Sequence, residues 1–280
     1  MAVFDVLAQL DTMTIIMMIV ALAALGCVAG VLAGLLGIGG GIVLVPGLLY
    51  IFQALGMDSE SLIHVCVGTS LALIIPNGLM SARSHWKKEA VDMHLVKVIG
   101  VGVLVGVAIG TVIADNLAGP SLQLVFACAV VVLALLMIVD PSRFKLFKSM
   151  PPTPWPSVAG TVIGAISSLI GIGGGTLSVP FMTLSMVPIH RAIGTASALG
   201  VVIAVPATIG FMYIGLGEAG RPPFSFGYVN WLAWLLILPT SLLSVKMGVW
   251  LAHKAPVKIM KRIFAFFLVI VAIKMWMDIL

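Results

Sequence analysis

Several stretches of this chain run for about 20 residues without a charged side chain, which is the length of a helix that crosses a bilayer. The clearest are residues 12–41 and 98–114. Only 9% of the residues are charged and 61% are hydrophobic, whereas soluble domains carry about 25% charged residues. The apolar runs do not alternate with polar residues, as the strands of a membrane β-barrel do. The sequence therefore predicts an all-α polytopic membrane protein.

The second feature is an internal repeat. The motif GIGGG, followed shortly by Val-Pro, occurs at residues 37–41 and again at 171–175. A second motif, His-x3-Gly-Thr, begins at His64 and again at His190. Because the two motifs keep their order and approximate spacing, they indicate a duplication of about 135 residues. We expect a first transmembrane repeat, a cytoplasmic Pro-rich basic linker and a second, inverted repeat, at residues 1–139, 140–157 and 158–280.

Each repeat contains five apolar segments, and an odd number places the second repeat upside down relative to the first. This arrangement is the inverted-topology repeat of many secondary transporters. The segments of the first repeat are residues 13–36, 42–55, 64–82, 97–114 and 121–139; those of the second are 157–170, 176–187, 192–214, 228–252 and 259–279.

The distribution of Lys and Arg agrees with this inversion. Most of them lie in loop 83–97, in the linker and in stretch 253–262, whereas the first 12 residues and loops 56–63 and 115–120 contain none. Loops rich in Lys and Arg stay on the cytoplasmic side. We therefore expect the linker in the cytoplasm and both termini in the periplasm.

The repeated glycines come directly before two apolar segments that are too short to span the membrane. Segments 42–55 and 176–187 have 14 and 12 residues, which as helices cover only about 21 and 18 Å of the roughly 30 Å hydrocarbon core. We expect two half-helices that start at the glycines and meet near mid-membrane. Helix starts bind anions through backbone N–H groups, although glycines also serve close helix packing. The candidate substrate-binding glycines are Gly39, Gly40, Gly41, Gly173, Gly174 and Gly175.

Polar residues near the repeated histidines are further candidates. Hydroxyl groups can donate hydrogen bonds to an oxyanion, but they can equally join neighbouring helices; they belong to Thr69, Ser70, Thr195 and Ser197. His64 and His190 are candidate proton or anion relays, with solvated helix capping as the alternative. Lys246 could guide an anion, or extend its ammonium group to the membrane surface.

The doubled GIGGG-x3-Val-Pro motif, with the following His-x3-Gly-Thr, resembles the sulfite exporter TauE/SafE family of bacterial membrane transporters. The resemblance covers nearly the whole chain. It implies transport of small sulfur oxyanions or organosulfonates, usually outward, and implies a substrate lining of Gly39–Gly41, Gly173–Gly175, Thr69, Ser70 and Thr195. In the second repeat Gly-Thr-Ser becomes Gly-Thr-Ala-Ser, so the position of Ser197 departs from the pattern.

Together these observations predict a secondary transporter of the inner membrane that exports sulfite or an organosulfonate. The alternatives are a thiosulfate or sulfoacetate importer, and an anion channel. No arrangement of residues suggests catalysis, a metal or a cofactor, so a membrane enzyme is a weaker hypothesis. The partners we expect are a small anion and the lipid bilayer but not nucleic acid, with the oligomeric state open and a homodimer one option.

Overall fold

The computed structural model describes residues 11–139, 149–254 and 257–279, and each of the ten predicted apolar segments corresponds to a helix there. The helices are α1 Thr12–Leu36, α2 Gly41–Ala54, α3 Leu62–Trp86, α4 Met93–Asp115, α5 Gly119–Val139, α6 Trp155–Leu169, α7 Gly175–Leu184, α8 Ile189–Ile214, α9 Trp231–Lys254 and α10 Val257–Ile279. Strands β1 Ser225–Phe226 and β2 Val229–Asn230 form a short antiparallel pair before α9. The predicted all-helical class is therefore confirmed.

Six of the helices in the described ranges are long and apolar enough to cross a membrane: α1, α3, α4, α5, α8 and α9. The predicted short segments form α2 and α7, with 14 and 10 residues. Helix α6 is also short, at 15 residues, although the corresponding helix of the first repeat, α1, has 25. The predicted segment 157–170, with 14 residues, is already as short as segment 42–55.

Two stripes of glycine bring pairs of helices into backbone contact. On α1, a Cβ atom on Gly26, Gly30 or Gly34 would collide with main-chain carbonyl oxygens of α9. On α4, the same is true of Gly102, Gly106 and Gly110 against α6. Small residues spaced four apart allow this close approach in membrane proteins.

Helix α3 lies at the centre of the bundle. In its most apolar window of 18 residues, 83% are buried, compared with 22% in α1. It packs against α8, α9 and α2, while α5 packs against α10. Each of the pairs α1–α9, α4–α6, α3–α8 and α5–α10 joins one helix from each repeat, so the two halves of the chain are interleaved rather than separate.

Some of the Lys and Arg residues on which the predicted membrane orientation depends lie outside the described residues. This applies to residues 140–148 of the linker and to the side chains between residues 255 and 264. The placement of these charges, and of residues 1–10, stays a prediction.

Candidate functional site

The two GIGGG loops, residues 37–41 between α1 and α2 and residues 171–175 between α6 and α7, are buried and touch each other. A Cβ atom on Gly41 would overlap the carbonyl oxygen of Gly171, and one on Gly175 would overlap that of Gly37. These two contacts are equivalent under the repeat, since 37 corresponds to 171 and 41 to 175. The loops therefore cross backbone to backbone, with no room for a side chain between them.

The two loops share a sequence but not a conformation. In the first loop Gly37, Gly39 and Gly40 have φ angles of 69°, 71° and 82°, values that glycine adopts readily and other residues do not. In the second loop only Gly171 is left-handed, with φ 67°, and Gly174 has φ −54°. The backbone conformation therefore favours glycine mainly in the first loop, whereas in the second loop Gly173 and Gly175 are restricted by contacts with main-chain oxygens.

Each loop leads directly into a helix start. Helix α2 begins at Gly41 and α7 at Gly175, and neither preceding residue, Gly40 or Gly174, has a side chain that caps the helix. The first N–H groups of a helix lack partners within it and carry about half a positive charge. In the described conformation each start lies against the first glycine of the other loop, α2 against Gly171 and α7 against Gly37.

The two candidate serines lie beside the loops, each next to the loop of the other repeat. Ser70 Oγ donates to the carbonyl oxygen of Gly171 at 2.8 Å. Ser197 Oγ would lie 3.1 Å from a Cβ atom on Gly37 and donates to the carbonyl of Ile193 at 3.0 Å. The extra alanine before Ser197 therefore does not remove it from the loops.

The two candidate threonines hold helix starts instead. Thr69 Oγ1 accepts a hydrogen bond from the backbone N–H of Asn230 at 2.9 Å, and Thr195 Oγ1 accepts one from that of Asp92 at 3.0 Å. Asp92 and Asn230 in turn cap α4 and α9 with their own side chains. In this conformation both hydroxyls are engaged at the ends of the fourth helices, not at the glycines.

His64 lies at the N-terminal end of α3, beside a polar cavity of about 500 Å³ that we call the acidic cavity. Its Nε2 hydrogen bonds the carbonyl of Ala114 at 3.1 Å, and its ring stacks on Tyr228 with centroids 5.0 Å apart. Burial raises the pKa of the Tyr228 phenol, and two neighbouring carboxylates raise it further, so it stays neutral. The carboxylates that line the cavity belong to Glu60, Asp115 and Glu218.

His190 lies at the opposite end of the molecule, near the C-terminal end of α3. Its ring stacks on His253 at 5.0 Å, and His253 lies 5.5 Å from His85. We call these three residues the histidine cluster. The structure therefore separates His64 from His190 and places one at each end of the bundle.

Lys246 is exposed on the surface of α9, and whether it guides an anion stays a prediction. In the described part of the chain, no group of three His, Cys, Asp or Glu side chains could hold a metal ion.

A row of buried polar residues on α3 was missed by the sequence analysis. Asn77, Ser81 and His85 follow one another at intervals of four and have relative exposures of 0%, 1% and 0%. Residues four apart lie on one face of a helix, so the spacing was visible in the sequence. The row occurs in one repeat only, so it is not part of the duplicated motifs from which the candidate residues follow.

Comparison with known proteins identifies a family that this chain matches. The model of the family described as "Sulfite exporter TauE/SafE" matches residues 22–275. A probable membrane transporter protein of Haemophilus influenzae is 36% identical, covering 90% of this chain and 96% of its own length. The probable membrane transporter proteins YunE of Bacillus subtilis and MJ0441 of Methanocaldococcus jannaschii are 27% and 26% identical, over 91% and 83% of this chain and 96% and 86% of their own lengths. No solved structure is significantly similar.

Proposed function

Because the chain belongs to the sulfite exporter TauE/SafE family of membrane transporters, we propose that it exports a small sulfur oxyanion, sulfite or hydrogensulfite, or an organosulfonate across the bacterial inner membrane. The observation that carries the proposal is the contact between the two GIGGG loops, each of which ends in a helix start without a side-chain cap. Such starts bind anions. The anion is held without a buried Lys or Arg.

The charge of this site favours a monoanion. Two helix starts, each with about half a positive charge, sum to about one. The hydroxyls of Ser70 and Ser197 lie beside the loops and can turn their hydrogens towards an oxyanion. Hydrogensulfite carries one negative charge and several oxygen acceptors, so it suits this combination of dipoles and hydroxyls.

The loops must separate for transport. In the described conformation a Cβ atom on Gly41 would already overlap Gly171, and an anion is larger than a methyl group. Because the closely packed pairs α1–α9 and α4–α6 each join helices of both repeats, the bundles that rock against each other around the loops would each contain helices of both. The reciprocal bonds of Thr69 with Asn230 and of Thr195 with Asp92 tie each repeat to the fourth helix of the other.

The distribution of charge supports export. The N-terminal end of α3 carries the acidic cavity, whereas its C-terminal end is followed by Lys87 and Lys88, which we call the basic mouth. By the positive-inside rule the basic end faces the cytoplasm. Lysines at the cytoplasmic end would then attract cytoplasmic anions, and the carboxylates of the acidic cavity would keep the concentration of periplasmic anions low at the other end. A monoanion leaving a cell also gains about 2.3 kcal/mol per 100 mV of membrane potential.

The test is a flux assay with purified protein in liposomes. The panel is sulfite, sulfate, thiosulfate and organosulfonates, with the membrane potential clamped at each sign and protein-free liposomes as the control. We expect saturable efflux of sulfite or an organosulfonate, faster when the inside is negative. Uptake of thiosulfate or sulfoacetate alone would make the protein an importer, and single-channel currents would make it an anion channel. Transport of none of these anions would refute the proposal.

A further inference from the structure

The row of Asn77, Ser81 and His85, which we call the α3 track, connects the first GIGGG loop with the histidine cluster. Asn77 lies one turn after Ile74, whose side chain would be 2.8 Å from a Cβ atom on Gly39. At the other end, His85 lies 5.5 Å from His253 of the cluster. The track runs over nine residues, 77–85, whose ends are about 12 Å apart along the helix, and it covers the half of α3 that leads to the basic mouth.

The track is polar but incompletely paired. Ser81 Oγ donates to the carbonyl of Ala33 at 3.3 Å and lies 2.9 Å from Ser197 Oγ. His85 Nε2 hydrogen bonds the carbonyl of Gly34 at 3.2 Å. Asn77 Nδ2 and His85 Nδ1, however, are buried and have no hydrogen-bond partner among the described residues. Such buried unpaired atoms are rare in proteins and need an explanation.

The amide of Asn77 is the more informative of the two. Ser241 Oγ of α9 donates to Asn77 Oδ1 at 2.6 Å, and this bond holds the amide with its two N–H donors turned away from Ser241. Other unpaired atoms, such as the hydroxyl of Thr208, can be satisfied by rotation towards the carbonyl of their own helix. Asn116 shows that an amide can also donate to its own helix, through Nδ2 to the carbonyl of Val112 at 2.8 Å, but Asn77, held by Ser241, makes no such bond.

We propose that Asn77 is an anion-binding residue, and that the α3 track is the inner half of the anion pathway between the histidine cluster and the GIGGG loops. The ligand is a small oxyanion whose oxygens accept the two N–H groups of Asn77 while the hydroxyls of Ser81 and Ser197 supply further donors. This inference rests on the proposed function and extends it to a residue outside the repeated motifs. It makes the site asymmetric, because counting from the repeated His-x3-Gly-Thr motif the position of Asn77 corresponds to Ile203 or, with the extra alanine, to Ala204.

Asn77→Leu separates a ligand-binding role from a structural one. The variant removes both donors at similar volume, and the Ser241 hydroxyl can turn to its own helix. We measure thermal unfolding in detergent, with and without sulfite and with and without thiosulfate. An anion that binds the folded state raises the Tm of the wild type. We expect Asn77→Leu without anion to unfold no lower than wild type, because it loses an unpaired buried group, and to lose the rise on adding anion.

Transport provides the second measurement. Asn77→Leu should raise the KM for the transported anion by about tenfold to a hundredfold, the usual effect of a lost hydrogen bond to a charged group. Asn77→Asp, which has no donor and adds a negative charge, should abolish transport, whereas Asn77→Gln, which keeps the amide, should restore part of it. Thr208→Val is the matched control, since it also removes an unpaired buried polar atom and should leave the KM unchanged.

The outcomes distinguish this inference from the function on which it rests. If the wild type neither binds nor transports any sulfur anion of the panel, the proposed function fails. If the wild type does both and Asn77→Leu or Asn77→Asp does so equally well, Asn77 is not an anion ligand. An anion-free Asn77→Leu protein that unfolds well below wild type or does not fold, with recovery in Asn77→Gln, would assign Asn77 a structural role and overturn the inference.

Discussion

The crossing of the GIGGG loops makes neighbouring glycines differ sharply in their tolerance of a methyl group. In Gly175→Ala the new Cβ would overlap the carbonyl oxygen of Gly37 and lie 2.8 Å from the backbone nitrogen of Ile38. In Gly174→Ala the nearest atom is Ile203 Cδ1 at 2.9 Å, followed by the nitrogen of Gly200 at 3.3 Å. The first contact is with main chain, whereas the second is with the mobile end of a side chain.

The expected losses of stability in the two variants follow from these contacts. A methyl group forced against a packed backbone costs about 1–3 kcal/mol in stability, and here it also pushes the two loops apart. In Gly174→Ala a rotation of the Ile203 side chain costs about 0.5–1.5 kcal/mol. Because Gly174 has φ −54°, alanine fits its backbone, and reduced freedom in the unfolded chain returns about 0.4–1 kcal/mol. Gly175→Ala should thus be clearly destabilised and Gly174→Ala nearly neutral.

The assay compares thermal unfolding in detergent with anion efflux from liposomes at matched protein content. We expect a lower Tm and little efflux for Gly175→Ala, and a Tm near that of wild type with substantial efflux for Gly174→Ala. Gly41→Ala, whose Cβ would overlap Gly171, should behave like Gly175→Ala. If Gly175→Ala matched Gly174→Ala in both measurements, the loops would not cross as described, and the reasoning from their contact would be wrong.

Three further predictions concern topology, the helix anchors and pH. A single cysteine at Ser149, in a background without native cysteines, should resist labelling from outside sealed cells; ready labelling would reverse the assigned orientation. Thr195→Val should lower stability by about 0.5–1.5 kcal/mol through loss of the bond from Asp92, measured by denaturant unfolding, and an unchanged midpoint would count against that bond. Efflux of sulfite should slow when the cytoplasmic side is made alkaline, because the monoanion is depleted. His64→Gln combined with His190→Gln should keep this dependence, and a flat pH profile would make a histidine the titrating group.

The sequence was a good guide to helices and a poorer guide to contacts. The apolar runs predicted the ten helical segments because the bilayer imposes length and hydrophobicity on each helix separately. The apolar run predicts a helix from residue 228, but α9 begins at Trp231, because residues 225–230 first form the β1–β2 pair. That pair depends on a turn at Gly227, with φ 55°, which hydrophobicity alone does not reveal.

For the candidate site, too, the local motifs could be predicted from the sequence but the long-range contacts could not. The repeated glycines pointed to the two loops, but the partners of Thr69 and Thr195 lie 161 and 103 residues away in sequence. Such pairing depends on how the helices pack and cannot be deduced from local spacing. Asn77 was accessible in principle, because its interval of four from Ser81 is a local signal. Its missing partner is a property of the folded state only.

The interlocked loops also have a consequence for biosynthesis. The first GIGGG loop leaves the ribosome 134 residues before the second, which at about 5–20 residues per second is a delay of about 7–27 seconds. During that time its main chain sits in the membrane without the backbone that later covers it, a state that lipid alone does not tolerate. We expect the newly made first half to remain at the insertion machinery, or under a chaperone, until the second half arrives. The two halves expressed as separate chains should then be stable only when produced together.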